Sequence, residues 1–256
     1  MPSVAVLADI HGNLPALEAV LDDIEKAGVD LIVLNGDLAD GPFPAETLDR
    51  LAGLGNRAVW LRGNGDRWLA EARDGRFKHP DPPTDAIIQW ASRRITDAQA
   101  GRLASLPLMN IFTVMERGRV GFCHATGRSD NEMFLVDSSL AQAEAAFAAL
   151  YTETVVVGCC HMPFDRLIDG RRFVNAGSVG MPFGHSGAAW ALIGRDVVLR
   201  RTDYDVEAAA ARITMTGMPG ADAFIETYIR TTPSDVEALD AYREIVLRQQ
   251  ATMEFG

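Results

Sequence analysis

A short polar motif near the start of the chain carries residue types that bind metal ions. Asp9 and His11 follow a hydrophobic run and stand two positions apart, so on an extended strand their side chains project toward one point. A carboxylate oxygen and an imidazole nitrogen aimed at one point suit a divalent cation. A solvated, inert pair at a strand edge would show the same spacing. The choice between these interpretations depends on whether the chain supplies further ligands.

The chain does supply further ligand-type side chains, again after hydrophobic runs. They are Asp37, Asn64, His124 and His161, and Cys159 stands two positions before His161. Carboxylate, imidazole and amide groups together suit Mn²⁺, Fe or Zn²⁺. A single histidine after a strand is usually structural, but three of the five histidines in this chain follow hydrophobic runs. The pattern therefore predicts a metal site.

These residues must be positioned by alternating strands and helices. An apolar helical stripe at residues 14–24 separates the first hydrophobic run from a second run at 30–34. A strand, a helix and a strand over this length indicate a right-handed parallel crossover, which places Asp37 near Asp9 and His11. The carboxyl ends of parallel strands are also where α/β sheets form their sites. Further strands are predicted at 58–61, 109–115, 119–123, 154–157, 165–168, 172–175, 188–193 and 196–201, and helices at 45–54, 85–94 and 139–151.

Two segments lie outside this alternation. Residues 68–108 contain a proline-rich loop between helical pieces, and we interpret them as a helical excursion over the sheet. Such an excursion either roofs the site or simply packs on the sheet. From residue 205 onward the pattern is helical. We therefore expect a domain at 1–204 and a helical C-terminal extension at 205–256 packed on the same domain.

The composition is that of an ordinary globular protein. Hydrophobic residues make up 48% and charged residues 23% of the 256 residues. The net charge of −11, from 24 basic and 35 acidic residues, argues against strong general nucleic-acid binding. The sequence has no apolar run that could cross a bilayer and no evident signal peptide, so we expect a cytoplasmic protein without a membrane partner. The three cysteines do not form a disulfide framework.

The polar motifs, taken together and in order, resemble those of the calcineurin-like metallophosphoesterases. The matching blocks are Asp9-x-His11-Gly12, Gly36-Asp37-x-x-Asp40, Gly63-Asn64-x-Asp66, His124 and Gly158-x-x-His161. The fuller segments DIHGN, GDLADGP, RGNGD and NAGSVGMP are similar to those of the small prokaryotic phosphodiesterase branch. The resemblance covers residues 3–201. It implies an α/β sandwich of two mixed β-sheets flanked by helices, with metal ions at one edge.

The resemblance also implies a role for each ligand. It assigns Asp9, His11 and His161 to one metal ion, Asn64 and His124 to a second, and Asp37 to both as a bridge. Two divalent cations roughly 3.5–4 Å apart would neutralise a phosphate ester and hold a bridging hydroxide for in-line attack on phosphorus. The expected cofactors are therefore two ions of Mn, Fe or Zn, and the expected catalytic residues are Asp37 and Asn64.

Two positions depart from the family pattern. Gly65 stands where the family has a histidine, the usual acid for the leaving group, which puts hydrolysis of alkyl phosphomonoesters in doubt. The small phosphodiesterase branch often lacks that histidine too. Cys159 stands where a ligand of the second metal ion is expected. It is either a thiolate ligand, which would favour Zn²⁺ or Fe over Mg²⁺, or a small buried apolar residue.

Three residues outside the ligand set are expected to bind substrate or to support the site. Arg128 can contact a phosphate through two hydrogen bonds, and His185, in a flexible loop, can replace the missing acid. Each of these two residues also fits a solvated surface position. Asp66 is expected to support its loop by accepting hydrogen bonds from backbone N–H groups.

The sequence therefore predicts a metal-dependent phosphoesterase, and more specifically a phosphodiesterase that acts on a small phosphorylated substrate. The alternatives are a non-catalytic binding module on the same fold and a phosphomonoesterase. The complete first metal site favours an enzyme over a binding module. The sequence leaves open whether the chain forms a homo-oligomer.

Overall fold

Two β-sheets form the centre of the molecule. A computed structural model describes residues 3–114 and 117–254, with side chains up to residue 249. Within these residues the strands are β1 (Val4–Leu7), β2 (Leu31–Asn35), β3 (Ala58–Leu61), β4 (Met109–Val114), β5 (Gly118–Cys123), β6 (Thr154–Val157), β7 (Phe164–Ile168), β8 (Arg171–Asn175), β9 (Ala188–Ile193) and β10 (Val197–Thr202).

Both sheets mix parallel and antiparallel pairs. The first has the order β10-β9-β1-β2-β3 and the second the order β4-β5-β6-β8-β7. In the first sheet β1, β2 and β3 are parallel, with Leu7 opposite Leu34 and Asn35 opposite Leu61, so the chain leaves all three strands at one edge. In the second sheet β5, β6 and β8 are parallel. The predicted α/β fold with two mixed sheets is confirmed.

The two sheets pack face to face. Side chains along each strand point alternately to the two faces of its sheet, so every second residue faces the other sheet. Val4, Val6 and Ala8 point into a core between the sheets, where they meet Phe122 and Val156 of the second sheet. The intervening residues of β1 are buried against the helices on the outer face of the first sheet. Since both faces of β1 are covered, the strand reads as an unbroken hydrophobic run.

The helices flank the sheets. In chain order they are α1 (Leu14–Lys26), α2 (Pro44–Ala52), α3 (Asn64–Arg73), α4 (Pro82–Ser92), α5 (Asp97–Ala104), α6 (Leu140–Ala146), α7 (Val206–Met215), α8 (Ala221–Phe224) and α9 (Asp235–Glu254), with a 3₁₀ turn at Gly55–Arg57 and a π-helix at Ile225–Thr231. Asn13 caps α1 by accepting a hydrogen bond from the N–H of Ala16 at 3.2 Å. In the described part of the chain, no helix is both long enough and apolar enough to span a membrane.

The helix predicted at residues 85–94 begins earlier than predicted, at Pro82. A proline in the first turn lacks only an N–H that has no partner within the helix. The carboxylate of Asp81 caps the helix by accepting a hydrogen bond from the N–H of Thr84 at 3.0 Å. The proline-rich loop is therefore partly helical.

Two other predicted elements also differ in length. The helix predicted at 139–151 ends at Ala146, whose carbonyl oxygen accepts a hydrogen bond from the N–H of Gly127 at 3.0 Å. A contact with a distant loop therefore replaces the next turn of the helix. The strand predicted at 109–115 is described as far as Val114, and Met115 lies outside the described residues.

The two helical segments contribute to the core and also to a cavity at the sheet edge. In the segment 68–108, Ile88 is buried on the outer face of the first sheet, whereas Trp68 and Ile87 line the cavity. In the C-terminal segment, Ile213 of α7 joins the core of the first sheet and Ala238 of α9 joins that of the second. Both segments thus connect the core with the cavity.

Candidate metal centre

Loops that follow four strands meet at one edge of the sandwich. They carry Asp9 and His11 after β1, Asp37 after β2, His124 after β5 and His161 after β6. Two overlapping groups form there, Asp9 with His11 and His161, and Asp9 with Asp37 and His124. Within each group the potential ligand atoms lie within 4.8 Å of one another. The structure thus brings together five of the predicted metal ligands, and all five are buried.

The backbone at this edge is held in a conformation that side chains rarely adopt. Asp9, His11, Asp37, Cys159 and His161 all have left-handed φ angles between 46° and 67°. Such angles are unfavourable for residues with a Cβ and persist where the surrounding structure fixes them. Backbone hydrogen bonds supply that restraint, for example from the N–H of His11 to the carbonyl oxygen of Asp37 at 2.9 Å. The strain is concentrated where the ligand side chains converge.

The three histidines present the same ring nitrogen to the site. In each ring Nδ1 lies within hydrogen-bond distance of an acceptor oxygen, so Nδ1 carries the proton and Nε2 of the neutral ring keeps a lone pair. The pairs are His11 with Asp40 Oδ2 at 3.0 Å, His124 with the carbonyl oxygen of Asn35 at 2.8 Å, and His161 with the carbonyl oxygen of Met181 at 2.9 Å.

These lone pairs converge on one another. The Nε2 atoms of His11 and His161 are 3.1 Å apart, and Asp9 Oδ1 lies 3.2 Å from Nε2 of His161. Asp9 Oδ1 is buried and has no hydrogen-bond donor. Acceptor atoms packed this closely repel unless protons or a cation lie among them, and a divalent cation can take the place of such protons. The residues present therefore fit a divalent metal ion.

Asp37 stands between the two groups of ligands. Its Oδ2 lies 3.9 Å from Nε2 of His11 and 3.5 Å from Nε2 of His124. Its Oδ1 accepts a hydrogen bond from the N–H of Gly65 at 2.7 Å, which fixes the carboxylate. Asn64 begins α3 and lines the same cavity, and its amide nitrogen donates to the carbonyl oxygen of Asp130 at 3.0 Å. This geometry is compatible with a bridging role for Asp37.

The closely spaced carboxylates and imidazoles of the cluster shift one another's pKa values. Burial alone lowers the pKa of His11, but the carboxylates of Asp40, Asp37 and Asp9 outweigh it and raise that pKa to about 9. In the same way neighbouring carboxylates raise the pKa of His124 well above its ordinary value despite burial. Burial raises the pKa of Asp9, but the imidazoles outweigh it and lower that pKa. A divalent cation bound here would have to displace these tightly held protons.

Two further carboxylates organise the ligands. Asp66 accepts hydrogen bonds from the backbone N–H groups of Asp37, Leu38 and Gly63 at 2.9 to 3.0 Å, which confirms its predicted support of the loop. Asp40 orients His11 and forms a group of possible ligands with His11 and Asp37. Sequence analysis assigned Asp40 no role of its own. Its position in the Gly-Asp-x-x-Asp block was the only available signal.

A cavity of about 740 Å³ opens directly onto this cluster. His11, Asp37, Asn64, Cys159 and His161 lie in its wall. The rest of the lining comes mainly from α3, α4, the π-helix and α9, and it includes several aromatic side chains. The ligand cluster is therefore accessible from a pocket large enough for a small organic substrate.

Residues 3–194 match the family model of the calcineurin-like phosphoesterase superfamily domain. The chain belongs to the calcineurin-like phosphoesterase superfamily. The resemblance inferred from the sequence motifs is thereby confirmed. Among similar proteins, the uncharacterised protein MJ0912 of Methanocaldococcus jannaschii is 28% identical over 241 residues, which span 84% of this chain and 93% of that protein.

Two other similar proteins differ in how much of this chain they match. Phosphodiesterase YfcE of Escherichia coli is 33% identical over 75 residues, which are 26% of this chain and 41% of YfcE. The crystal structure of hypothetical protein PH1004 from Pyrococcus horikoshii superposes with a TM-score of 0.76 at 22% identity, covering 90% of this chain and 99% of that one. The structural match shows that the two proteins share one fold over most of this chain.

The departure from the superfamily pattern at Gly65 has a structural counterpart. A Cβ at this position would lie 2.4 Å from Oδ2 and 2.5 Å from Cγ of Asp40. The Asp40 carboxylate thus occupies the space where a side chain at residue 65 would begin. Since Asp40 contacts Nδ1 of His11 at 3.0 Å, a larger residue at 65 would disturb the orientation of His11.

Cys159 lies beside the ligand cluster. Its N–H donates to Oδ2 of Asp9 at 2.9 Å, and its sulfur lies 3.7 Å from the sulfur of Met133. Burial raises the pKa of the thiol, and the nearby imidazole of His124 opposes that rise. The position suits a thiolate ligand to a metal ion near His124, and it equally suits a thiol packed against Met133. Ligation by Cys159 stays a prediction.

Arg128 and His185, predicted to bind substrate, lie away from the described lining of the cavity. Arg128 forms two hydrogen bonds with the carboxylate of Glu132, at 2.8 and 2.5 Å. His185 is exposed in its loop. The same loop reaches the metal centre through Phe183, whose ring stacks on that of His161 with centroids 5.5 Å apart. Sequence analysis missed Phe183, because a loop phenylalanine carries no chemical signature.

Proposed function

We propose that this superfamily member is a phosphodiesterase that uses two divalent metal ions. The observation that carries the proposal is the convergence of the Nε2 atoms of His11 and His161 with the unpartnered Oδ1 of Asp9 at one buried point. Acceptor atoms without donors are what a cation requires. The position of this cluster at the mouth of a cavity supports catalysis rather than a purely structural metal ion.

The ligands divide between two ions. Asp9, His11 and His161 would hold the first, Asn64 and His124 the second, and Asp37 would be shared. When bound, such a pair of ions supplies Lewis acidity toward the phosphoryl group and an activated water near neutral pH. The role of the protein is to fix the ligands, which the Nδ1 hydrogen bonds of the three imidazoles support.

The cavity itself favours a diester over a monoester. Among the described residues that line it, none is a lysine or an arginine. A phosphomonoester dianion would therefore find no lysine or arginine among these residues to neutralise its second charge, whereas a diester carries a single negative charge. Gly65 offers no proton donor to the leaving group, so a good leaving group, which needs no acid, should react best.

The similarity to the Escherichia coli protein named as a phosphodiesterase supports the same reaction class. A non-catalytic binding module on this fold would not need to preserve a buried ligand cluster on a strained backbone. The described residues retain the Asp and His groups that such a module could lose. We therefore place the binding module and the phosphomonoesterase behind the phosphodiesterase.

A comparison of two substrates tests the proposal. Protein loaded with Mn²⁺ should hydrolyse bis(p-nitrophenyl) phosphate with a kcat/KM at least about 10²-fold above that for glycerol 2-phosphate, since only the alkyl monoester needs an acid. Asp37→Asn should abolish hydrolysis, and Asp22→Asn, a change of an exposed acid on α1, should leave it intact. Equal kcat/KM values for the two substrates, or no hydrolysis of the diester, would reject the proposal.

A further inference from the structure

The cavity beside the metal centre has a largely apolar lining that the metal chemistry does not explain. Trp68 of α3 and Ile87 of α4 contribute to it, as do Tyr228 of the π-helix and Tyr242 and Ile245 of α9. These side chains come from the two segments outside the strand–helix alternation. We call these five residues the apolar wall. The C-terminal extension thus forms part of the pocket as well as part of the core.

The apolar wall is continuous with the metal centre through aromatic contacts. The ring of Phe183 stacks on His161 at a centroid distance of 5.5 Å and an interplanar angle of 26°. Phe183 also contacts Tyr242 of the apolar wall, edge-on, with ring centroids 5.8 Å apart. A ligand group lying against Tyr242 would therefore be attached close to a phosphoryl group held at the metal ions.

The parts of the apolar wall are held in place before any ligand binds. Trp68 stacks on Phe77 with centroids 5.5 Å apart and planes 13° apart. The end of α9 is tied down by Gln249, whose amide nitrogen donates to the carbonyl oxygen of Asn131 at 2.6 Å and whose amide oxygen accepts from the N–H of Met133 at 3.0 Å. A rigid apolar surface binds a flat group with little loss of conformational entropy.

The charge of the cavity limits what can lie against this wall. Its titratable lining residues include the carboxylates Asp37 and Asp40, the imidazoles beside them and the imidazole of His79 next to Trp68, and the described lining contains no lysine or arginine. A second phosphate on the substrate would meet no lysine or arginine among these residues. An uncharged ester group that removes apolar surface from water suits the wall better.

We propose that the apolar wall binds a planar aromatic ester group of a singly charged phosphodiester. In this scheme α9, the π-helix and the α3–α4 segment determine which esters are accepted, while the sheet edge holds the metal ions. The proposal rests on the proposed function, because the metal centre is what would hold the phosphoryl group next to the wall. Aromatic rings in the wall favour an aromatic partner through stacking and edge contacts.

Binding of two diesters that lack the activated p-nitrophenyl leaving group to the Mn²⁺-loaded protein tests this proposal. Diphenyl phosphate and dimethyl phosphate carry the same charge and differ in their ester groups. Calorimetry should give a Kd at least about tenfold lower for diphenyl phosphate, because each phenyl ring buries more apolar surface than a methyl group. Equal dissociation constants for the two diesters would overturn the proposal.

Matched variants on α9 locate the effect. Ile245→Ala should weaken diphenyl phosphate binding by roughly fivefold, and Leu247→Ala, the same type of truncation at a 66% exposed position on the same helix, should not. A melting temperature measured for each variant shows that it is folded. Equal effects of the two α9 truncations would overturn the proposal.

Turnover of bis(p-nitrophenyl) phosphate, measured in parallel, separates this proposal from the proposed function. Hydrolysis without preference for diphenyl phosphate would leave the phosphodiesterase standing and reject the aromatic site. Selective binding of diphenyl phosphate without hydrolysis of any ester would reject the phosphodiesterase and support the aromatic site as a binding pocket.

Discussion

One added methyl group at Gly41 should disable the metal centre. An ideal Cβ at this residue would lie 1.8 Å from the carbonyl oxygen of His11 and 2.7 Å from its carbonyl carbon. Because backbone atoms essentially never approach a Cβ closer than 3.0 Å, Gly41→Ala must widen the separation between residue 41 and the His11 backbone by about 1.2 Å, the gap between 1.8 Å and 3.0 Å. His11 is already held in a left-handed conformation with a φ of 46°, which leaves it little room to adjust.

The expected effect on function is larger than the effect on stability. Metal–ligand distances tolerate deviations of about 0.2 Å, and a displacement of about 1 Å in a reacting centre lowers the rate on the order of 10²-fold. Overpacking of this kind destabilises a protein by about 1–3 kcal/mol, which lowers Tm by roughly 2–10 °C in a chain of this size. Gly41→Ala should therefore fold, bind less metal and lose at least about 99% of its turnover.

Gly101→Ala is the matched control for this substitution. Gly101 lies in α5 and a Cβ there would meet nothing within 4 Å, so alanine should leave metal content unchanged and stabilise the helix by about 0.5–1 kcal/mol. Elemental analysis, turnover of bis(p-nitrophenyl) phosphate and a calorimetric Tm should be measured for both variants. A Gly41→Ala protein with wild-type metal content and near wild-type turnover would refute the steric reasoning.

Three further outcomes are expected. Asp37→Asn should lower diester turnover by at least about 10³-fold, because both ligand groups share its charge; a variant with a tenth of wild-type turnover at saturating Mn²⁺ would contradict this. Because carboxylates raise the pKa of His11 from 6.5 to about 9 despite burial, its proton stabilises the metal-free fold below pH 6.5, and this contribution disappears as the pH rises through about 9. The Tm difference between Mn²⁺-loaded and stripped protein should therefore widen over that range, and a constant difference would count against it. Cys159→Ser should reduce metal content per chain and Cys159→His should restore it, whereas unchanged content would mean that the thiol only packs.

The strand ends could be predicted from sequence because buried parallel strands read as hydrophobic runs. The hydrophobic runs before Asp9 and Asp37 predicted the first two strands. The right-handed crossover rule predicted that the ends of these strands lie side by side. Imidazole and carboxylate groups at those strand ends then predicted a metal site. The local pattern sufficed there, because each of these features lies within a few residues of its strand.

Other features depend on contacts between distant segments and have no local signal. The left-handed backbone of Asp9 and Cys159 follows from how loops of two sheets meet. The space at Gly65 is filled by Asp40, which is 25 residues away in sequence. The apolar stripe of α9 indicated a helix, but nothing in it separated residues that face the core from Tyr242, which lines the cavity.

The metal content of the purified protein, measured together with its diester turnover before and after chelation, tests the central claim most directly. The account predicts bound divalent ions, loss of bis(p-nitrophenyl) phosphate hydrolysis when the ions are removed, and recovery when Mn²⁺ is restored. Hydrolysis that continues undiminished in protein shown by elemental analysis to be free of metal would contradict it.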